Sequence, residues 1–282
     1  MVAKGEKATL TYYGLAFSLP FLFIFCAFIL YPLLYGFTLA GDLSKYQELM
    51  QDNLYSMAIV NTLIYVGLGV NIKMVFSFFF SGLLTFKEHT LVKVLRVAYL
   101  LPWAIPALSA ILSFRWMLNA DWGIINYFLV SIGLPRVLWL NSYESAMACA
   151  IIFHIWKWAP LWTMTLFAGR LAIAPELYES AKIDGANTLY ELRYITMPLM
   201  KRLYILTTVL STIWTLGDFN TIWLLTGGDP GGKTHLISTL AYKYTLFVGD
   251  VSLGVSSYII LMPVLFILIF VLMKSVNVPG VS

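Results

Sequence analysis

Residues 57–86 read MAIVNTLIYVGLGVNIKMVFSFFFSGLLTF, an apolar run interrupted by a single charge at Lys73. About 20 helical residues cross roughly 30 Å of hydrocarbon, and unpaired backbone amides are too costly in lipid for such a run to be anything but helix. Working outward from Met57 to Phe86, five more runs of this kind follow the same logic: Tyr12 to Tyr35, Leu95 to Leu118, Ala146 to Arg170, Leu203 to Leu225 and Val251 to Met273. None shows the ten-residue alternation of a membrane barrel. The sequence therefore predicts an all-α, polytopic integral membrane protein with six transmembrane helices, forming a single domain over 1–282. Composition agrees, with 60% hydrophobic and 11% charged residues.

The first run is too long for a secretory signal core and lacks a small-residue cleavage pattern, so it reads as a retained helix. Orientation follows from the positive charges, which are kept on the cytoplasmic side. With the N-terminus inside, Lys4, Lys7, Lys87, Lys93, Arg96, Arg170, Lys182, Arg193, Lys201, Arg202 and Lys274 fall on that side. Only Lys45, Arg136, Lys233 and Lys243 fall opposite, with Arg115 near a helix end. Both termini are thus expected in the cytoplasm, and the formal charge of +4 reports topology and not a nucleic-acid surface. Cys26 and Cys149 sit inside apolar runs, and His89, His154 and His235 are dispersed, so no disulfide framework, metal site or catalytic cluster is expected.

The loops carry more information. An outer loop holds a short apolar stretch, Ile124 to Ile132, expected to lie along the outer interface. The third run contains Pro102 and Pro106, which remove backbone hydrogen bonds and kink a helix. The kink reads either as structure alone or as the wall of a cavity that uses the freed backbone groups. The inner loop, 171–202, has four acidic and four basic residues among helix formers and projects from the membrane. Pro175 suits a first helical turn, with Glu176 and Glu179 at its positive end. Gly185 follows Asp184 where a sharp turn is needed. A second short helix has Leu189, Leu192 and Ile195 three apart, with Pro198 near its end.

The pattern Glu179-Ser180-Ala181, three residues, Gly185, nine residues, Ile195, one residue, Met197-Pro198 closely resembles the coupling loop of binding-protein-dependent ABC importer permeases. The family usually has alanine at 180 and leucine at 197. Leu100-Leu101-Pro102-Trp103, Trp156-Lys157-Trp158-Ala159-Pro160, Glu176-Leu177-Tyr178-Glu179 and Leu225-Thr226-Gly227-Gly228 resemble the carbohydrate, maltose-type branch. The resemblance implies a type I ABC importer transmembrane domain in the inner membrane of a prokaryote. It implies a homologous second permease subunit, two ATPase subunits that bind ATP and Mg, and an extracytoplasmic solute-binding protein. This chain would then hold no cofactor of its own. Glu179, Ser180, Ala181, Asp184, Gly185, Ile195 and Pro198 would dock on the ATPase.

Gly227-Gly228-Asp229-Pro230-Gly231-Gly232-Lys233-Thr234 spells a phosphate-binding loop. Such a loop needs a preceding strand and a following helix N-terminus in a soluble domain, whereas this one follows a membrane helix on the outer side.

Polar residues inside spanning helices are expensive and face a cavity or partner by default. His154, Lys157, Trp158 and Leu161 in the fourth run, and Ser211, Trp214, Thr215 and Asp218 in the fifth, share the spacing 0, 3, 4, 7 that lines one helical face. Aromatic rings beside hydroxyl and charged groups suit a sugar. By the resemblance, these positions and Trp103 correspond to a midplane sugar pocket. Against this, Trp is common as an interface anchor and a buried His as a packing residue. Lys157 reads in two ways: as a partner of Asp218 across the cavity, or as the contact for an anionic sugar derivative. A competing function is an ion-coupled secondary carrier of a polar solute, with Lys157, His154 and Asp218 as its relay; it leaves the inner-loop pattern unexplained.

Overall fold

The computed structural model describes the backbone of residues 2–85 and 90–276, and side chains over 13–85 and 93–274. Phe86, Lys87 and His89, and the side chains of Lys4, Lys7 and Tyr12, lie outside the described residues. Among the described residues the regular structure is helical throughout.

Helix α1 (Tyr13–Leu39) is long and apolar and presents its side chains outward, Phe17 being 84% exposed. Its Tyr31–Leu39 end packs against a later helix, Val251–Ile259. A π-helical turn at Cys26–Leu30 precedes Pro32, whose ring would clash with a carbonyl of a regular preceding turn. Helix α2 (Leu43–Gln51) and α3 (Asn53–Leu83) begin at Asp42 and Asp52, whose carboxylates accept from Ser44 N and Leu54 N. Helix α3 packs along its length against α7 (Tyr143–Leu171), the most extensive helix pair in the bundle.

The third run is not one straight crossing. It is α4 (Thr90–Ala104) and α5 (Ala107–Met117), bent by 93° at the Pro102–Pro106 segment. Helix α6 (Ile124–Ser131) is short and outwardly apolar, with Tyr127 and Phe128 exposed and Asn126 pinned beneath by Ala120 O, Val137 and Trp139 Nε1.

After α7 come α8 (Pro175–Ile183) and α9 (Thr188–Glu191). The chain does not stop at Pro198. The helix passes through a second π-helical turn, Leu192–Thr196, into α10 (Met197–Leu216), and Pro198 follows this turn as Pro32 follows the first, its ring spared the carbonyl of a regular preceding turn. The fifth run also breaks earlier than expected, at Gly217, before α11 (Asn220–Leu225). Helix α12 (Ile237–Lys243), α13 (Val251–Ile259) and α14 (Met262–Val276) complete the chain.

Among the described residues three helices are long and apolar enough to cross a membrane by length and composition: α1, α3 and the α13–α14 unit Val251–Lys274; the bent α4–α5 pair makes a fourth if it counts as one span. Helix α7 has 29 residues, about 43 Å at 1.5 Å each. Its polar residues His154, Lys157 and Thr163 lower its hydropathy, yet all three are buried in the bundle.

Candidate functional site

Along α3, Asn61, Tyr65, Gly69, Lys73, Ser77 and Ser81 recur every fourth residue, and all are buried. They form one ridge of the helix facing α7. Lipid tails are as apolar as leucine, so such a seam is held by close packing and hydrogen bonds. Toward the N-terminus of α3, Asn61 Nδ2 donates to the carbonyls of Lys233 (2.6 Å) and His235 (2.9 Å), and Tyr143 OH donates to Asn61 Oδ1 (2.9 Å). Further along, Ser77 Oγ donates to Ala159 O (3.2 Å). Toward the C-terminus of α3, Arg170 donates to Ser81 Oγ and Phe78 O, both at 2.8 Å.

The middle of the seam carries a polar cluster. Lys73 Nζ lies 2.8 Å from His154 Nε2, and His154 Nδ1 lies 3.2 Å from Asp218 Oδ2. An ammonium can only donate, so Nε2 accepts and Nδ1–H donates to the carboxylate. Asp218 is saturated: Oδ2 also accepts from Tyr65 OH (2.7 Å) and Thr221 Oγ1 (2.8 Å), and Oδ1 from Thr221 N (3.1 Å). The last two bonds explain the break at Gly217, because Asp218 supplies the acceptors that begin α11.

This cluster borders a cavity of about 300 Å³, at the small end of ligand pockets. Its walls are aromatic at Trp158, Trp162, Trp214 and Phe219, and polar at Lys73, His154, Ser211, Thr215, Asp218 and Asn220. Of the nine residues expected from sequence, His154, Trp158, Ser211, Trp214, Thr215 and Asp218 line it. Helices α7 and α10 meet as expected, with Thr215 Oγ1 3.3 Å from His154 Nε2 and the Trp158 and Trp214 rings 6.3 Å apart. Lys73, Trp162, Gly217, Phe219 and Asn220 were missed. The spacing of four among Asn61, Tyr65, Gly69 and Lys73 in an otherwise apolar run is the signal that locates Lys73 on the inward face.

Trp103, Lys157 and Leu161 are not among the lining residues. Leu161 packs against the apolar cluster around Val70, Phe78 and Leu166. Lys157 does not pair with Asp218. Its ammonium donates to Pro102 O (2.8 Å), Trp103 O (3.0 Å) and Ile105 O, stapling the carbonyls released at the bend between α4 and α5. The Trp103 side chain is 44% exposed. A larger groove of about 550 Å³, lined by Val75, Phe78, Phe79, Met197, Pro198, Lys201 and Tyr204, is largely apolar and shares no lining residue with that cavity. Its chemistry is that of a helix- or lipid-packing surface.

The phosphate-loop spelling has another use. Helix α11 precedes it, and Thr234, which would face a metal ion in a nucleotide loop, is fully buried. Thr234 N donates to Gly228 O (2.9 Å), its hydroxyl donates to Asp229 O (2.8 Å), and Thr226 Oγ1 lies 2.9 Å from it. The segment is a packed cap over the N-terminal part of α3. Burial, aided by Lys243, pushes the His235 imidazole from 6.5 down to about 4.

In the 171–202 loop, α8 ends in paired bonds, Ala186 N to Ala181 O (2.9 Å) and Gly185 N to Lys182 O (3.1 Å), with Gly185 at φ +79°. This is a Schellman ending, in which a left-handed residue satisfies the last carbonyls. Asn187 Oδ1 then caps α9, accepting from Leu189 N (3.1 Å) and Tyr190 N (3.0 Å). Tyr178 OH meets Thr196 Oγ1 at 2.9 Å and closes the two short helices on each other. Glu179, Ser180, Asp184 and Gly185 are exposed, Ala181 and Ile195 are half-buried, and Pro198 is exposed. Ile183 is 87% exposed and Leu189 69%.

Known proteins share both sequence and fold with this chain. The trehalose/maltose transport system permease protein of Thermococcus litoralis is 40% identical over 161 residues, covering 57% of this chain and 54% of that protein. The sulfoquinovosyl glycerol transport system permease protein of Agrobacterium fabrum is 31% identical over 160 residues, covering 57% and 52%. These matches thus span about half the length of the relatives. A chain in the crystal structure of a bacterial alginate ABC transporter, in complex with alginate pentasaccharide-bound periplasmic protein, superposes with a TM-score of 0.85 at 22% identity, covering 96% of this chain and 94% of that one. That likeness speaks for the fold. Residues 58–280 match the family described as binding-protein-dependent transport system inner membrane component, and the chain belongs to that family.

Proposed function

We propose that this chain is the transmembrane permease subunit of an ATP-driven ABC importer that passes a sugar or sugar derivative across the inner membrane by alternating access. The observation that carries the reading is the inner loop. Two short helices turn at a left-handed glycine and hold exposed apolar side chains away from the bundle, a surface that this chain leaves uncovered. In this reading Glu179, Ser180, Ala181, Asp184, Gly185, Ile195 and Pro198 seat the loop in a separate ATPase. The loop side is cytoplasmic, and the packed 227–234 cap faces the binding protein. ATP and Mg belong to two ATPase subunits, and a homologous second permease completes the pathway. Six crossings are formed by α1, α3, the bent α4–α5 pair, α7, α10 with α11, and the α13–α14 unit, in the type I arrangement, with lipid around them.

The sugar reading is supported by the cavity, whose indole walls suit the apolar faces of a pyranose while Ser211, Thr215 and Asn220 suit its hydroxyls. Trp103 and Lys157 act at the bend, where a stapled break gives the cavity wall a hinge. The carrier alternative loses its relay at Lys157, which is held by backbone carbonyls. Reconstitution in liposomes with partner permease, ATPase and binding protein tests the proposal. Sugar uptake should require enclosed ATP, and uptake by the isolated chain under an ion gradient would overturn it.

A further inference from the structure

We infer that Lys73 and Ser211 form a subsite for an acidic group, so that the transported sugar carries a carboxylate or a comparable oxyanion. This rests on the sugar-importer reading above and names its substrate class. Two observations carry it. Among the described residues Lys73 Nζ has one hydrogen-bonding partner, the accepting nitrogen of His154, which leaves two ammonium N–H groups beside the cavity with no protein acceptor. Ser211, also in the wall and 1% exposed, has a hydroxyl with no partner at all.

The charges are unequal in their satisfaction. Asp218 has four donors around its two oxygens, so its charge is met within the protein. The ammonium of Lys73 bonds directly to a neutral imidazole, and the Asp218 charge reaches it only across that ring. A desolvated ammonium in this position lacks what an entering oxyanion supplies, a charged acceptor in a medium of low dielectric. The neighbouring Ser211 hydroxyl donates to a second oxygen of the same group, and the aromatic walls hold the ring. Lys157 offers nothing comparable, because its donors are spent on carbonyls of the bend.

The test uses the purified complex of this chain with its partner permease and ATPase, without binding protein, and measures equilibrium binding of labelled glucuronate and labelled glucose. Wild type should prefer glucuronate. Lys73→Met should lower that preference about ten- to a hundredfold, the worth of one charge-assisted hydrogen bond. Lys73→Arg should retain a preference for the acid, and Ser211→Ala should reduce it more mildly. Equal or tighter binding of glucose by wild type overturns the subsite and leaves the importer reading intact; this measurement stands even where Lys73→Met fails to assemble. An equal loss of both sugars in Lys73→Met also overturns it, because that is the mark of a purely structural lysine. Binding of neither sugar by wild type overturns the subsite together with the sugar reading.

Discussion

Two glycines at opposite ends of the molecule share a left-handed backbone and little else. Gly185 has φ +79° and a Cβ built on it would meet nothing within 4 Å; Gly228 has φ +92° and a Cβ there would fall 2.2 Å from the His235 ring. The inner loop is held by its own bonds, from Asn187 to α9 and from Tyr178 to Thr196. The outer cap is held by the rest of the fold, through Asn61 on α3. It buries Thr234 and His235, whereas the inner loop exposes Ile183 and Leu189. One glycine is needed so that the protein can pack against itself. The other turns a loop whose apolar side chains stay exposed.

The largest effect expected from this contrast is on activity. Gly185→Asp places a carboxylate in open space, and aspartate tolerates the left-handed region better than most residues. The variant should insert and melt like wild type while ATP-dependent uptake falls to background. Normal uptake by a properly inserted variant would break the docking assignment. Gly228→Ala should do the reverse. It costs about 1–2 kcal/mol for the left-handed backbone and about 1–3 kcal/mol for overpacking against a ring that is itself buried. Its thermal midpoint in detergent should drop clearly, and an unchanged midpoint would show that the outer cap is not packed as described.

The contrast also explains what was legible from sequence. The inner loop is local: Pro175, Gly185 and the spaced apolar residues act within one or two helical turns, so pattern reading found the helix and the turn. The faces of α7 and α10 were legible because helical spacing fixes which side chains share a side. Lys73 was not, because its role depends on a contact with His154 that is 81 residues away. Lys157 was misread for the same reason. Two charges in facing helices invited an ion pair with Asp218, but the carbonyls freed by Pro102 and Pro106 competed for the ammonium, and Tyr65, Thr221 and His154 had already satisfied the carboxylate. The bend of 93° lay in the prolines, though its size did not. Asn187 carried a plain capping signature before α9 that the apolar spacing overshadowed.

An intermediate effect separates the loops by pH. The His235 imidazole, ordinarily near 6.5, titrates at about 4 in the packed cap because burial and Lys243 disfavour its charged form. A group with a depressed folded value stabilises the closed form fully above 6.5. Between 6.5 and about 4 an opened cap takes up a proton that the closed cap refuses, so the closed state weakens as pH falls through that window and changes no further below it. Hydrogen exchange over 227–236, corrected for intrinsic rates, should accelerate across the window in wild type and lose that step in His235→Gln. The inner loop has no histidine and should lack the step. Equal steps in both loops would break the comparison.

The smallest effect tests whether the inner loop is as self-contained as its bonds imply. Asn187 Oδ1 caps the first two amides of a four-residue helix, and replacing such a cap by alanine costs about 1 kcal/mol. Because α9 is exposed and its cap makes no tertiary contact, Asn187→Ala should raise exchange at residues 188–191 by about fivefold, the factor that 1 kcal/mol implies, and leave the melting temperature of the bundle unchanged. Uptake should fall less than in Gly185→Asp, since the surface is loosened and not altered in shape. Binding of the ATPase should restore much of the lost protection. A global drop in melting temperature would mean that the loop is coupled into the bundle as the outer cap is, and the division between a packing glycine and a docking glycine would fail with it.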